Sequence, residues 1–412
     1  MFPRTLTQRL LLGGAAVLVI LAAVVLIVSP DGEPGATTPV ATSAPTTPAS
    51  TTPAELIPRA AVSFPTRCKA VKDSRPLGLG LARPSRLASS PVEQAVFANA
   101  FKCLQAIAGR PPVLRTQLPI DVTRRRDGPQ GFEYAELTSF AYLLKTTGAS
   151  GIVSIRSHDF TRCPKRGDGQ PRSRATLEPG EALQTCEYPS VPLYETLFTE
   201  LHEAMTALAP GAQLSFSAWN EPDHPMFTLQ PAYGQRVAAR RAGKYWSVVA
   251  GIVGAERALA GEFSDQELPT LLSLREAFVD GTGGLTPAVW ALHPYRDLTS
   301  GNADIETGFA SAVAPSPAWV TEATPRISGK GGLSGRPTGQ RRRGIALRER
   351  LADASTPLIL YLLIPPPPPT PDEDAGWDSA IADRSGTARP FVCGLADLPE
   401  EQCLGDPEAF GG

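Results

Sequence analysis

Apolar residues in most of the chain alternate between short continuous runs and longer stretches with a helical period. Runs of about four to eight apolar residues are typical of buried strands, whereas a period of about 3.6 residues indicates a helix. Eight strands are predicted on this basis, at residues 77–81, 111–122, 151–160, 213–222, 258–263, 288–295, 318–323 and 357–364.

Segments with helical period separate most of these strands. The first helix is predicted to begin at the N-cap Ser90 with Pro91 in its first turn. This alternation predicts an α/β fold, a (β/α)8 TIM barrel, and the absence of a G-x-G-x-x-G sequence disfavours an open doubly wound sheet. Helices are predicted at 90–109, 131–149, 191–208, within 233–258, and at 268–281, 305–313 and 339–354.

The N-terminal region has a different pattern, an uncharged apolar segment at residues 10–29 that follows Arg4 and Arg9. Its length of about 20 residues is what a helix needs to cross the ~30 Å hydrocarbon core of a bilayer. The two arginines predict a cytoplasmic N-terminus and an uncleaved signal anchor. A cleaved signal peptide, whose apolar core is about 7–15 residues, is the alternative. Both predict that the rest of the chain is exported, and the anchor predicts a single-pass cell-membrane protein.

Residues 30–59 consist largely of Thr, Pro, Ala and Ser. Such a segment has too few apolar side chains to offset the entropy lost on folding, so a disordered linker is predicted. The chain is therefore predicted to have three parts: a cytoplasmic tip and transmembrane anchor (1–29), a linker (30–59) and a barrel domain (60–412).

Composition excludes one class of partner and indicates disulfides. The 41 acidic and 39 basic residues almost cancel, which argues against nucleic acid as the main partner. No oligomeric state is predicted. All six cysteines follow the linker without a C-x-x-C pair, which favours disulfides over metal ligands in an exported domain. Sequential pairing is expected, among 15 connectivities that six cysteines permit: Cys68 with Cys103, Cys163 with Cys186, and Cys393 with Cys403.

Two glutamates end predicted strands, Glu221 in "LSFSAWNEP" and Glu322 in "WVTEA". The C-terminal ends of barrel strands converge on one mouth, so these carboxylates are predicted to face each other there. Paired carboxylates suit cleavage of a glycosidic bond, in which one protonates the leaving oxygen and the other attacks the anomeric carbon. Arg115 would keep a nearby glutamate ionised, and the tryptophans Trp219 and Trp377 would offer an apolar surface to a sugar ring.

With the sequence Asn220, Glu221 and Pro222 at the fourth strand, the domain resembles the clan A retaining glycoside hydrolases, over most of residues 77–395. The resemblance implies that Glu221 is the acid/base, that Asn220 binds the sugar 2-hydroxyl and that Glu322 is the nucleophile. It further implies a function for four residues. His293 and Tyr295 match the sixth strand and would orient the nucleophile, Arg115 matches the second strand, and Trp377 loosely matches the eighth.

The sequence thus predicts a membrane-anchored, extracytoplasmic glycoside hydrolase that acts with retention through a glycosyl-enzyme, on a carbohydrate substrate and without metal or organic cofactor. His158, at the end of the third strand, is a further candidate substrate-binding residue. The alternative is a catalytically inactive carbohydrate-binding or cell-envelope scaffold protein. Two features favour that alternative: Asp223, where the resembled family often has Asn, and the Pro-rich loop after the eighth strand.

Overall fold

The computed structural model covers the predicted barrel domain and not the predicted anchor or linker. It describes residues 63–65, 67–125, 131–156, 189–224, 234–327, 332–333, 337–365 and 378–399, all of which belong to one compact unit, Pro53–Gly412. Within these ranges, no helix combines the length and the apolar character needed to cross a membrane. The predicted anchor at residues 10–29 and the predicted linker lie outside the described residues and stay predictions.

Eight parallel strands form a closed barrel, as the sequence predicts. Each strand pairs with the next, and β8 pairs with β1 through Leu77 opposite Leu358 and Leu79 opposite Leu360. The strands are β1 Leu77–Leu81, β2 Val113–Pro119, β3 Gly151–Arg156, β4 Leu214–Ser217, β5 Ala258–Phe263, β6 Val289–Leu292, β7 Ala318–Val320 and β8 Leu358–Leu360. The bounds of β1 and β5 are those predicted, and β2, β4, β6, β7 and β8 are shorter than their apolar runs because the last residues of these runs leave the sheet.

Helices connect the strands on the outside of the barrel, and all the predicted helices that fall on described residues are present. Short 3-10 segments at Pro84–Ala88 and Val122–Arg125 follow β1 and β2. The α-helices of the described ranges are α1 Pro91–Ala108, α2 Gly131–Thr147, α3 Val191–Leu208, α4 Gln235–Val253, α5 Leu268–Gly281, α6 Tyr295–Ser300, α7 Asp304–Val313, α8 Pro337–Glu349 and α9 Pro390–Ala396.

The predicted start of α1 is confirmed, and the predicted end of the sixth strand is wrong. The Ser90 side chain accepts a hydrogen bond from the Glu93 backbone N–H (3.2 Å), which caps α1. The sixth strand was predicted to reach Tyr295, but β6 ends at Leu292 and Tyr295 begins α6. Pro294 explains the difference because proline has no N–H for a sheet ladder and a fixed φ that suits a helix start.

Side chains fill the barrel on both sides of the sheet. Because successive strand residues point to opposite faces, residues two apart share a face. The inward face carries a small aliphatic cluster, and above it lie the polar side chains of the barrel mouth. This cluster contains Val113, Ile152, Leu259, Val289, Ala291 and Ile359. The outward face packs against the helices in a much larger cluster that includes Phe216, Trp246 and Phe278.

One predicted disulfide is confirmed. Cys68, in the segment before β1, is bonded to Cys103 of α1. The other two predicted pairs involve residues 163, 186 and 403, which lie outside the described ranges, so those pairings stay predictions.

Candidate active site

Glu221 and Glu322 lie close together at the C-terminal mouth of the barrel. Glu221 follows β4 and is 7% exposed, whereas Glu322 follows β7 and is 5% exposed. One carboxylate oxygen of each, together with a ring nitrogen of His293, all lie within 4.8 Å of one another. Carboxyl groups about 5–5.5 Å apart are typical of retaining glycosidases, and inverting ones need about 6.5–9.5 Å. The two carboxyl groups therefore lie close enough for both to contact one glycosidic bond.

Three donors from two elements hold both oxygens of Glu322. Arg115 Nη1 donates to Oε2 (2.6 Å), and Gln117 Nε2 donates to the same oxygen (3.1 Å). Tyr295 donates its hydroxyl to Oε1 (2.5 Å). Arg115 and Gln117 are two residues apart on β2 and therefore share its inward face. These charge-assisted hydrogen bonds fix the orientation of the carboxylate.

Arg115 is fully buried and joins three strand ends. Besides Glu322, its guanidinium contacts Glu262 at the end of β5 (Nε to Oε1, 3.0 Å) and the side-chain oxygen of Asn220 (2.7 Å). Burial alone would lower the pKa of the guanidinium, but the charges of Glu262 and Glu322 outweigh it and raise the pKa above its usual value. Arg115 therefore keeps its positive charge at the centre of the mouth.

His293, which the resemblance implied would orient Glu322, has its hydrogen bond to Glu221, whereas Tyr295 contacts Glu322. The His293 Nδ1 lies 2.7 Å from Glu221 Oε1, and its Nε2 lies 3.5 Å from Glu262 Oε1. Burial would lower the pKa of His293, yet the charge of Glu322, the hydrogen bond to Glu221 and the nearby Glu262 carboxylate raise the pKa to about 10. At neutral pH the ring is therefore an imidazolium, in which both nitrogens are donors.

Glu262, which the sequence analysis did not single out, is a third carboxylate of the site. Its Oε1 accepts hydrogen bonds from Arg115 and from Ser154 Oγ (2.8 Å), and the residue is fully buried. Burial would raise its pKa, but Arg115 and His293 hold the pKa well below its usual range. The signal for it was present: a glutamate near the end of the apolar run "ALAGEF", the pattern that pointed to Glu221.

Tyr361 lies where the resemblance placed a tryptophan. It directly follows β8, with its ring 6.0 Å from the Arg115 guanidinium carbon. Its ring also packs over Gly80 of β1, where a Cβ atom would lie 2.5 Å from Tyr361 Cδ2. The half-buried ring is thus an aromatic surface at the mouth. Trp377 and His158 lie outside the described residues, and their predicted functions stay predictions.

Trp219 and Asn220, which directly precede Glu221, point in opposite directions. Trp219 is 1% exposed and packs 5.5 Å from Tyr245 of α4, so the expectation that it forms a sugar-stacking surface is wrong. The chain bends after Ser217, and this turns the indole outward against the helices. Asn220 points inward and is fully buried. Its Nδ2 has no hydrogen-bond partner among the described residues.

Glu221, His293 and Glu322 also form the type of cluster that can ligate a metal ion. Their atoms are already engaged, since His293 pairs with Glu221 and Arg115 with Glu322. A buried guanidinium and an imidazolium supply the positive charge that a metal ion would otherwise bring. The arrangement fits carboxylates used as acid, base or nucleophile.

Comparison with known proteins finds similar structures but no match by sequence. No protein-family model matches the chain, and neither does any curated protein. Solved structures of glycoside hydrolases do share its fold. A GH39 β-xylosidase from Caulobacter crescentus has 15% identity and a TM-score of 0.52, with 80% of this chain and 72% of that one covered. The GH39 enzyme from Xanthomonas axonopodis pv. citri has 14% identity and a TM-score of 0.50, with 80% and 67% covered.

The structural neighbours are clan A glycoside hydrolases. The resemblance stated from the strand-four sequence is therefore confirmed at the level of the barrel fold. At identities of 14–15% the likeness is one of fold, so the functions of individual residues rest on the geometry of the mouth.

Proposed function

We propose that the chain is a retaining glycoside hydrolase, with Glu322 as the nucleophile and Glu221 as the acid/base. The observation that carries this proposal is the pair of carboxylates whose nearest oxygens lie within 4.8 Å across the barrel mouth. Such a short distance favours direct attack by the second carboxylate, whereas inversion needs a wider gap that also admits a water molecule.

The contacts of Glu322 fit its proposed function. Arg115 donates to one carboxylate oxygen of Glu322 and Tyr295 donates to the other, and these two hydrogen bonds orient Glu322 for attack on the anomeric carbon. Glu221 gives a proton to the glycosidic oxygen as the bond to the anomeric carbon breaks, and a glycosyl ester forms on Glu322. Glu221 then takes a proton from water as the water oxygen attacks the anomeric carbon, and the bond between that carbon and the Glu322 oxygen breaks, which releases the sugar and the free carboxylate.

The remaining polar groups of the mouth fit recognition of a sugar. The Asn220 Nδ2 is buried and has no hydrogen-bond partner among the described residues, so a sugar hydroxyl would satisfy it. Tyr361 presents an aromatic ring of the kind that sugars stack on. Because a structural neighbour is a β-xylosidase, an aryl β-xyloside is the first substrate to test within a panel of aryl glycosides.

The deciding experiment measures hydrolysis of activated aryl glycosides by the Glu221→Ala and Glu322→Ala variants. Both are expected to lose turnover by at least about a thousand-fold, and azide should restore only Glu221→Ala, because it replaces water at the glycosyl-enzyme. Glu136→Gln is the matched control, since this buried glutamate binds Ser85 away from the catalytic pair. Full activity in either alanine variant, or a product of inverted configuration, would refute the proposal.

One of the two features that favoured an inactive scaffold has a structural explanation. Asp223 is fully buried and accepts hydrogen bonds from the Ser264 backbone N–H (2.9 Å) and hydroxyl (2.5 Å). The carboxylate thereby ties the loop after β4 to the chain after β5. Its presence follows from this contact and does not indicate lost catalysis. A wild-type chain that binds glycans but hydrolyses none of them would establish the inactive alternative.

The proposal includes anchoring of the domain on the outer side of the cell membrane. It is supported by the apolar segment at 10–29 with its flanking arginines, and by the Cys68–Cys103 disulfide, a bond typical of oxidising compartments. The full chain should stay in membranes washed with alkaline carbonate, and external protease should reach its barrel. Release by carbonate would indicate that the segment is not an anchor.

A further inference from the structure

Glu262 reaches the barrel interior only because of an irregularity in β5. Ala258 and Ala260 belong to the outward core, and Leu259 belongs to the inward cluster. Regular alternation would therefore point Glu262 outward and Phe263 inward. The structure shows the reverse: Glu262 contacts Arg115 and Ser154, and Phe263 packs against Phe278 of α5.

The reversal arises at a β-bulge. The pairing of β5 with β6 shifts register between Gly261 and Phe263, and both Gly261 (φ +86°) and Glu262 (φ +54°) have left-handed backbone. A left-handed conformation is strained for a residue other than glycine, so the surrounding contacts must hold Glu262 in it. Bulges re-aim side chains near active sites, and this one turns a glutamate into the mouth.

The turned carboxylate contacts both cations of the site. Its Oε1 lies 2.9 Å from Arg115 Nη2 and 3.5 Å from His293 Nε2. Arg115 and Glu262 have side chains with no solvent exposure, as does His293. Each cation uses its other face to contact a candidate catalytic residue, Arg115 through Nη1 and His293 through Nδ1.

The backbone of the bulge also binds the backbones of Glu221 and His293. The Glu262 carbonyl accepts a hydrogen bond from the Glu221 N–H (3.0 Å), and the Phe263 carbonyl accepts one from the His293 N–H (3.0 Å). The bulge is thus connected to Glu221 by its main chain and, through the imidazole, by its side chain.

We propose that Glu262 is a positioning residue of the candidate active site, which fixes the two cations, Arg115 and His293, against the pair of candidate catalytic carboxylates. This inference rests on the proposed glycosidase function for its kinetic consequence. Its electrostatic consequence is independent of that function: a carboxylate on the far side of the imidazole favours the charged ring. Without the charge of Glu262, only Glu221 and Glu322 would remain as acids near His293. One negative charge fewer would then offset the positive charge of Arg115.

The first test measures the titration of His293 in the full chain, by NMR of 15N-labelled histidine side chains. The chain has four histidines, and the His293→Gln variant identifies the signal. In the wild type the ring should stay protonated to a pH of about 10. In Glu262→Gln, which keeps the shape and removes the charge, the pKa should fall by about one unit or more. Glu136→Gln, another buried glutamate, should leave the titration unchanged.

The second test measures the kinetics of the same variants on an aryl glycoside. Glu262→Gln should lower kcat by about 10- to 100-fold with KM changed less than about three-fold, because a misplaced catalytic group slows chemistry more than binding. Glu262→Asp retains the charge and should recover part of kcat. If Glu262→Gln does not fold, Glu262→Asp replaces it with smaller shifts in the same directions.

The outcomes separate this inference from the proposed function. An unchanged His293 titration in a folded Glu262 variant overturns the inference, whatever the activity. A lowered pKa with kcat unchanged overturns the positioning function. A wild type that hydrolyses no glycoside refutes the proposed function, and the titration then still decides whether Glu262 holds the charge of His293.

Discussion

Arg115 is the residue on which the charge balance of the mouth depends. It is fully buried and contacts two carboxylates, Glu262 and Glu322, and the Asn220 side chain. A buried ion pair adds little net stability compared with an apolar pair, but removal of one partner leaves a buried charge without compensation. The arginine is therefore expected to matter for stability as well as for the orientation of Glu322.

Arg115→Met should lower the free energy of unfolding at pH 7 by about 3–5 kcal/mol, because Glu262 would then be buried beside a neutral side chain. Denaturant unfolding followed by circular dichroism measures the change. Arg240→Met is the matched control: Arg240 forms an exposed ion pair with Asp280, and such pairs contribute at most about 1 kcal/mol. Equal losses in the two variants would contradict the buried charge network.

The raised pKa of His293 predicts how stability depends on pH. The folded-state pKa is about 10 and the unfolded value about 6.5, so the stabilisation is fully present below pH 6.5 and is lost as the pH rises through 10. His293→Gln should remove this fall, seen as a shallower decrease in unfolding free energy between pH 7 and 10.

His202→Gln is the control for the pH prediction. Burial and the nearby Arg257 lower the pKa of His202, so this side chain is already neutral in that interval. The control should keep the wild-type slope. The same slope in all three proteins would show that His293 is not an imidazolium in the fold.

At the residue scale the sequence was sufficient where a polar side chain ends or alternates within an apolar run. Glu221, Glu322 and Arg115 were found in this way, and the family resemblance added His293. Glu262 was missed because its direction depends on a bulge, and regular alternation places it outside. Trp219 was misjudged for a related reason, since the bend after β4 reverses which side chains face inward.

At the scale of elements, α4 and α5 approach each other through two glycines. A Cβ atom at Gly243 would lie 2.1 Å from the Phe278 carbonyl oxygen, and one at Gly281 would lie 1.9 Å from the Arg240 carbonyl oxygen. The backbones of the two helices are therefore in direct contact. This contact supports the outer side of β5, where Trp246 of α4 donates to the Ala258 carbonyl (2.9 Å).

Gly243→Ala should lower the free energy of unfolding by about 1–3 kcal/mol, since the methyl group forces the helices apart. Gly251 of the same helix is the matched control, because nothing lies within 4 Å of its Cβ position. Gly251→Ala should raise stability by up to about 1 kcal/mol through helix propensity. Thermal and denaturant unfolding measure both, and the same sign for the two would contradict the close helix contact.

Element order was predictable because strand and helix periods differ, whereas element ends depended on local chemistry. Proline 294 ends β6 and lets Tyr295 begin a helix, and from this helix its hydroxyl reaches Glu322. The apolar run at residues 357–364 was predicted as one strand, but only Leu358–Leu360 belongs to β8. The run leaves the sheet at Tyr361, which thereby becomes part of the mouth.

At the scale of the whole molecule, the Cys68–Cys103 disulfide links the segment before β1 to α1 across 35 residues. Closing a loop of this length stabilises a fold by about 3–4 kcal/mol in the chain-entropy account. Cys68→Ser breaks the bond and leaves the buried Cys103 in the core. Denaturant unfolding should show a loss of that size, and a loss below about 1 kcal/mol would show that the segment is held by its other contacts.

The pairing of β1 with β8 joins positions 77 and 358, so the ring of strands is completed by the last strand of the barrel. The mouth takes its acids and cations from β2, β4, β5, β6 and β7 or from the residues that follow them, and the pairing of β8 with β1 closes the ring that brings these strand ends together. We expect a chain cut short before β8 to keep most of its helices and to lose the geometry of the mouth. Helix content measured by circular dichroism would therefore change little in such a chain. An assay that depends on the mouth would detect only molecules in which the barrel is closed.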